Sequence, residues 1–247
     1  MLKRKLSSWL RKKGLLKKID DLYYHFTRAR NYRRNRSFKK MNPAVPVPDD
    51  YTLFETYRLD YQHYYYDGRK TAVSVLDQLR EFSNINHKAI LEWGCGPARI
   101  IRHLPSLAPG NDWFGCDYNE DTINWCSNNI QGVHFSKNEL EPPLPYSDQS
   151  FDIVYAVSVF THLSKQNHFD WMEEIHRVVK PDGLFLLTTQ GESFLSKLTK
   201  SERDRFNILS IGNRSASPSK PKVVTVAWQI DQIKRTLPSP SVCFDAM

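Results

Sequence analysis

Between residues 88 and 191 short apolar segments alternate with segments of helical period, and this alternation limits the possible folds more than any other feature. Residues 89–92, 113–116, 133–136, 151–159 and 184–189 read as buried-type strands, with FDIVYAVSV at 151–159 the strongest. Residues 99–107, 122–129 and 168–179 read as the helices between them, and KPDG at 180–183 as a turn. Strands joined by helices return to the same sheet edge and so pair in parallel. The expected class is α/β: a doubly wound, mostly parallel, Rossmann-like sheet with helices on both faces. After residue 191 the pattern weakens. A helix over 193–206, a sixth strand over 223–230 and a helical turn over 231–236 are expected. Residues 241–247 are short for a seventh strand, so the C-terminal hairpin reads as abbreviated.

At 247 residues the chain can bury a sizeable core and carry extra segments. Its net charge of +8 is unevenly spread: residues 1–40 hold 15 Lys and Arg against two Asp, a net of +13, leaving −5 over the remainder. The domain reading is a basic helical arm at 1–41, a Pro-rich linker at 42–50, a helical lid segment at 51–87 and the α/β domain at 88–247. Leu2, Leu6, Trp9, Leu10 and Leu16 fall close to one helical stripe of the arm. No apolar run approaches the roughly 18–20 residues needed to span a bilayer, and the N-terminus builds no secretory apolar core. Cys95, Cys116, Cys126 and Cys243 have no zinc-type spacing. A reduced, cytoplasmic protein without a bound metal is expected.

The stretch AILEWGCGPARI at 89–100 places an acid, Glu92, at a strand end, then Gly94, Cys95 and Gly96 in a tight turn before a helix. Such a turn brings bare backbone and helix N–H groups close to a ligand, or it is only a strand-to-helix connection. A dinucleotide fingerprint has a small third residue, where this chain has Arg99, which argues against NAD and FAD. GxxxxGK[ST] does not occur, which removes a P-loop. One strand later Asp117 ends GCD, where an acid accepts hydrogen bonds from a ribose diol or, alternatively, caps a helix.

Four segments in order now carry a resemblance: ILEWGCGPARI at 90–100, FGCDYN at 114–119, PPLPYSDQSFDIVYAVSVFTHL at 142–163 and WMEEIHRVVKPDGLFLLTTQG at 171–191. Together they resemble the class I S-adenosylmethionine-dependent methyltransferases, over about 100 residues. YRLDYQHYYYDGRKTA with SVFTHL is also similar to a bacterial subgroup linked to small-molecule or surface-glycan modification. The resemblance implies S-adenosyl-L-methionine as cofactor. It places Glu92 near the methionyl amino group, the backbone of Gly94, Cys95 and Gly96 along the cofactor, Asp117 on the ribose and Tyr118 beside the adenine. Asn138 stands where many relatives have an Asp near the adenine amino group, a departure that keeps an acceptor oxygen. Ser158 and Val159 end the fourth strand, where the methionyl arm and the acceptor meet. His162 is the candidate base, or a helix-start residue. His63, Tyr65 and Tyr66 line a lid or acceptor pocket, or are core. Arg69 meets the cofactor carboxylate, or is solvated. The absence of NPPY and DPPY removes the usual mark of nucleic-acid amine methylases.

The expected function is methylation of a small-molecule or glycan/lipid-linked acceptor on oxygen or nitrogen. Two alternatives stand beside it: a non-catalytic interaction protein retaining the fold, and an RNA methyltransferase recruiting through the arm. The arm itself is a solvated extension, a membrane-surface helix over residues 1–18 on anionic lipid, or an RNA contact with Tyr23, Tyr24, Phe26 and Tyr32 for stacking. The apolar stripe and the acidic remainder of the chain favour membrane over nucleic acid.

Overall fold

The computed structural model describes residues 15–190 and 222–228, which form two compact units, up to Tyr66 and from Asp67 onward. The first unit holds α1 (Leu15–Met41) and α2 (Asp50–Tyr57), followed by a π-helical turn at His63–Asp67. Asp49 caps α2 by accepting from the N–H groups of Tyr51 and Thr52. Phe38, Leu53, Leu59, Tyr61 and Tyr64 make its core, with Val45 and Val47 packed against them. Two asparagines of α1 are buried and paired. The Asn31 amide donates to the carbonyls of Arg58 and Leu59, and that of Asn35 to Leu59 at 2.8 Å. The N–H of Tyr61 donates back to Asn35 Oδ1 at 3.1 Å.

This arrangement differs from the expected linker at 42–50 and lid at 51–87. The Pro-rich segment is packed, because Val45 and Val47 lie against the core. The division falls at Tyr66, and the helix that follows is built into the second unit.

The second unit contains α3 (Gly68–Phe82), β1 (Ala89–Trp93), a 3-10 turn (Ile101–His103), α4 (Leu104–Leu107), β2 (Asp112–Asp117) and α5 (Glu120–Asn129). It continues with β3 (His134–Lys137), β4 (Phe151–Ala156), a 3-10 turn (Phe160–His162), α6 (Lys165–Val178), β5 (Val179–Gln190) and β6 (Lys222–Trp228). The strand order is β3-β2-β1-β4-β5-β6, and every described pairing is parallel. Both faces are covered, as the strand alternation requires. Ile90, Ile153, Tyr155, Leu184 and Leu186 share one core with Ala72, Val75, Leu76 and Leu79 of α3 and Ile123 and Cys126 of α5. Leu91, Val154, Ala156, Phe185 and Leu187 pack on the other side with Trp171, Ile175 and Val178 of α6.

Three local expectations change. The helix expected over 99–107 is a turn, then a 3-10 turn, then four residues of α4, because Ala98 takes a left-handed φ of 56° and Pro105 cannot continue a hydrogen-bonded ladder. KPDG at 180–183 is not a free turn but a bulged part of β5, whose Val179 already pairs with Phe151. The fourth strand stops at Ala156. The helix expected over 193–206, the turn over 231–236, residues 241–247 and the Leu2-to-Trp9 stripe lie outside the described residues. No helix among the described residues is long and apolar enough to cross a membrane.

The segment before β4 is stitched to α6 by Arg177. Its guanidinium donates to Glu174, to Asp148 at 2.7 Å, and to the carbonyls of Tyr146 and Leu144 at 2.9 and 3.3 Å. Buried Glu174 also accepts the Leu144 N–H at 2.7 Å. Arg177→Ala leaves Glu174 without its counter-charge and releases residues 144–148. It should lower unfolding free energy by about 1.5–3 kcal/mol, read by urea denaturation, with Arg177→Lys recovering only part because a single ammonium cannot bridge four acceptors.

Candidate functional site

The strand order reverses between β1 and β4, so the crevice outside their carboxyl ends is the place such a sheet offers a ligand. The residues after β1, β2, β3 and β4 gather there. Gly94, Cys95 and Gly96 follow β1. The N–H groups of Gly94 and Cys95 both donate to the Cys116 carbonyl, at 2.8 and 3.0 Å. The N–H of Gly96 donates to Asp117 Oδ2 at 2.9 Å. The loop after β1 is thus tied, amide by amide, to the end of β2. Gly94 has φ 74° and a Cβ there would overlap the Val159 methyl; Gly96 has φ 49° and open space where its Cβ would stand. The first glycine lets the loop close on the β4 connection, and the second leaves bare backbone facing room for a ligand.

Asp117 is nearly buried. Its Oδ1 accepts the Asn119 N–H at 3.0 Å, and burial raises its pKa while the N–H groups of Asn119, Gly96 and Tyr118 pull it back. Tyr118 beside it is 57% exposed. Asn119 caps α5 by accepting the Thr122 N–H at 2.9 Å, so capping there falls to Asn119, not Asp117. After β3, the N–H of Asn138 donates to the Asp117 carbonyl at 3.1 Å, and its amide donates to the Glu139 carbonyl. The Asn138 Oδ1 is buried with no hydrogen-bond partner, an acceptor of the kind that a buried donor would satisfy.

After β4, Ser158 takes a left-handed φ of 64°, and its N–H donates to Thr188 Oγ1 at 2.8 Å. This tie turns the chain out of the sheet two residues beyond Ala156. Strained backbone of this kind persists where surrounding bonds hold it. His162 lies in the 3-10 turn that follows, and its side chain is outside what the structure describes.

Glu92 is 2% exposed. Its Oε2 accepts the Tyr155 hydroxyl at 3.0 Å from the adjacent strand. Burial pushes its pKa from the ordinary 4.5 to about 8, against the opposing pull of the Tyr155 hydroxyl, the Arg99 guanidinium and the Ile101 N–H. Arg99 is buried too and donates to Thr71 Oγ1 of α3 at 3.3 Å. The Cys95, Cys116 and Cys126 thiols are buried, and burial raises all three pKa values, that of Cys126 to about 12. They are neutral packing groups at pH 7.

The structure brings Glu92, Gly94, Cys95, Gly96, Asp117, Tyr118, Asn138 and Ser158 to one end of the sheet. Arg69 is exposed near the start of α3. His63, Tyr65 and Tyr66 belong to the first unit, where Tyr65 packs on Phe38 at 5.8 Å and Tyr66 shares hydrogen bonds with Asn42. Tyr155 and Thr188 shape the site without having been singled out in the sequence. Their positions depend on partners 63 and 30 residues away, and only the strands at 151–159 and 184–189 hinted at them.

Residues 91–187 match the family model described as a methyltransferase domain. The chain is 34% identical over 109 residues to a fatty-acid O-methyltransferase of Mycolicibacterium smegmatis, covering 43% of this chain and 38% of that one. It is 33% identical over 116 residues to a tRNA (carboxymethyluridine(34)-5-O)-methyltransferase of Arabidopsis thaliana, covering 44% and 27%. It is 26% identical over 149 residues to a malonyl-[acyl-carrier protein] O-methyltransferase of Halalkalibacterium halodurans, covering 55% and 54%. Among solved structures it is similar to a putative S-adenosyl-L-methionine-dependent methyltransferase of Methanococcus maripaludis, at 12% identity and TM-score 0.48, covering 65% and 88%. The chain spans about a quarter to a half of the length of the curated relatives named here. It carries a domain of the class I S-adenosylmethionine-dependent methyltransferase family, and S-adenosylmethionine is the cofactor of that domain.

Two outcomes follow from this geometry. Gly94→Ala should cost about 1–2 kcal/mol in backbone strain and about 1–3 kcal/mol in overpacking on Val159. Adding Val159→Ala should recover the second part but not the first, as thermal denaturation would show. Glu92, with its pKa raised on folding, contributes stability that is complete below 4.5 and is lost as pH rises through about 8. Glu92→Gln, which mimics the protonated acid, should remove that slope, so melting temperatures of the two chains should diverge from pH 5 to pH 9 in favour of the variant.

Proposed function

We propose that the chain transfers a methyl group from S-adenosylmethionine to a small-molecule or glycan/lipid-linked acceptor, on oxygen or nitrogen. The observation that supports this most is the acceptor capacity at the ends of β2 and β3: the Asp117 carboxylate, whose two oxygens each accept one amide and keep further lone pairs, beside open backbone at Gly96, and the partnerless buried Oδ1 of Asn138. In this reading Asp117 accepts the two ribose hydroxyls, Asn138 Oδ1 accepts the adenine amino group, and Tyr118 covers the adenine face. The backbone of residues 94–96 runs beside the methionyl part, with Glu92 held behind it, and Ser158 turns the chain where methyl donor and acceptor meet.

Held by Asp117, Asn138 and the backbone of residues 94–96, the cofactor would supply a methyl group made electrophilic by a sulfonium to an acceptor lone pair and would keep the electron pair of the carbon–sulfur bond. The chain's part is to hold acceptor atom, methyl carbon and sulfur in line, which removes much of the entropic barrier. His162 is the residue assigned to take the proton from a hydroxyl or amine acceptor. Acceptor-side roles for His63, Tyr65, Tyr66 and Arg69 rest on the resemblance alone.

The fatty-acid and acyl-carrier relatives support an acceptor with a carboxyl or lipid-linked group. A second reading, an RNA acceptor, is favoured by the tRNA-modifying relative together with the basic N-terminal segment. Calorimetry with S-adenosylhomocysteine tests the cofactor assignment. Binding is expected, and Asp117→Ala should weaken it about ten- to hundred-fold, as loss of charged hydrogen bonds does, while circular dichroism stays unchanged. No binding to the folded chain would sink the proposal. Release of S-adenosylhomocysteine is then measured with fatty acids, acyl carriers, glycan precursors and transfer RNA. Turnover on RNA alone favours the second reading, and binding without turnover favours a non-catalytic interaction protein.

A further inference from the structure

One face of α1 is not used by the fold. Its inward stripe is Thr27, Asn31, Asn35 and Phe38, all buried. On the opposite side runs a seam at alternating spacings of three and four: Ile19, Leu22, Phe26 and Ala29, then Arg33, Arg36 and Lys40. Leu22 is 71% exposed, Phe26 60% and Ile19 44%. The three cations of the seam are exposed and make no ion pair among the described residues, whereas Arg28 and Arg34, on the flanks, are committed to Asp50 and Asp60. The acids of this helix, Asp20 and Asp21, fall off the seam.

From this seam we infer that α1 is an interfacial helix that docks on an anionic lipid bilayer. This deepens the proposed peripheral membrane contact by moving it from residues 1–18 to a named helix face. From Ile19 to Lys40 the helix is about 32 Å long, enough to lie along a headgroup layer. Ile19, Leu22 and Phe26 enter the acyl boundary at one end, and Arg33, Arg36 and Lys40 sit on lipid phosphates at the other. A second copy of the chain fits poorly. Paired in parallel, the seams would oppose cation to cation; paired antiparallel, Lys40 would face Ile19 and Arg36 would face Leu22. RNA would use the cations but has no partner for exposed Ile19 and Leu22, which offer no ring for stacking.

The test is co-sedimentation of the full chain with vesicles of phosphatidylcholine and phosphatidylserine at 7:3, beside pure phosphatidylcholine. Binding to the anionic vesicles that weakens with salt is expected. Arg33→Gln with Arg36→Gln should lower it about twenty-five-fold, at about five-fold per charge. Leu22→Asp with Phe26→Asp should lower it at least as far. Absence of vesicle binding overturns the inference, as does binding that neither pair of substitutions changes. Retention of a 20-nucleotide RNA that depends on the arginines and not on Leu22 and Phe26 also overturns it, in favour of nucleic acid. Calorimetry with S-adenosylhomocysteine on each variant confirms the second unit is folded. It also keeps the two ideas apart: absence of vesicle binding by the unsubstituted chain with intact cofactor binding fails the docking face only, and absence of cofactor binding by the unsubstituted chain fails the methyltransferase reading.

Discussion

The anchoring of the loop after β1 to the end of β2 is the constraint on which the rest of the site depends. Three consecutive amides, of Gly94, Cys95 and Gly96, are spent on Cys116 and Asp117. The chain then runs through a left-handed Ala98 and a 3-10 turn before α4. The same bonds fix Asp117 from one side while Asn119 fixes it from the other. A carboxylate held by two amides is oriented before any ligand arrives, so ordering it costs little at binding.

Behind that loop lies a second layer of polar groups in apolar surroundings. Glu92 faces Tyr155 because β1 and β4 pair with these residues in register. Burial holds the glutamate largely neutral near pH 7, so it works as a hydrogen-bonding group that joins two strands. Asp117, shifted in the same direction but held by the amides of Gly96 and Asn119, is the acid nearer to solvent. Two acids of one site therefore differ in role through their surroundings.

The alternation of strands and helices was legible because β1, β2, β4 and β5 keep apolar residues on both faces, as buried parallel strands must. The loop residues that gather at one end of the sheet were legible because they follow strand ends in a fixed order. What could not be read were consequences of distant pairing. Ser158 leaves the sheet because Thr188, 30 residues on, accepts its amide. KPDG became part of a strand because Val179 pairs with Phe151. The prolines of 42–50 suggested a linker, but composition alone does not reveal that Val45 and Val47 have a core to pack on. Tyr155 looked like one more apolar strand residue until the register set its hydroxyl against Glu92.

The first unit shows why a helix this basic can still be a folded element. Exposed polar helices gain little from propensity and need a packed face. In α1 that face is partly polar, and its polarity is satisfied: Asn31 and Asn35 hold the turn at Arg58 and Leu59, where both residues have left-handed φ values of 51° and 53°. A turn strained at two adjacent non-glycine residues must be held by its neighbours, and the amides of α1 supply that hold. In return the turn fixes the rotation of α1 about its axis, since slipping by one residue would take Asn31 and Asn35 away from their carbonyls. The buried asparagines thus decide which side of the helix faces outward, and with it where the row from Ile19 to Lys40 points.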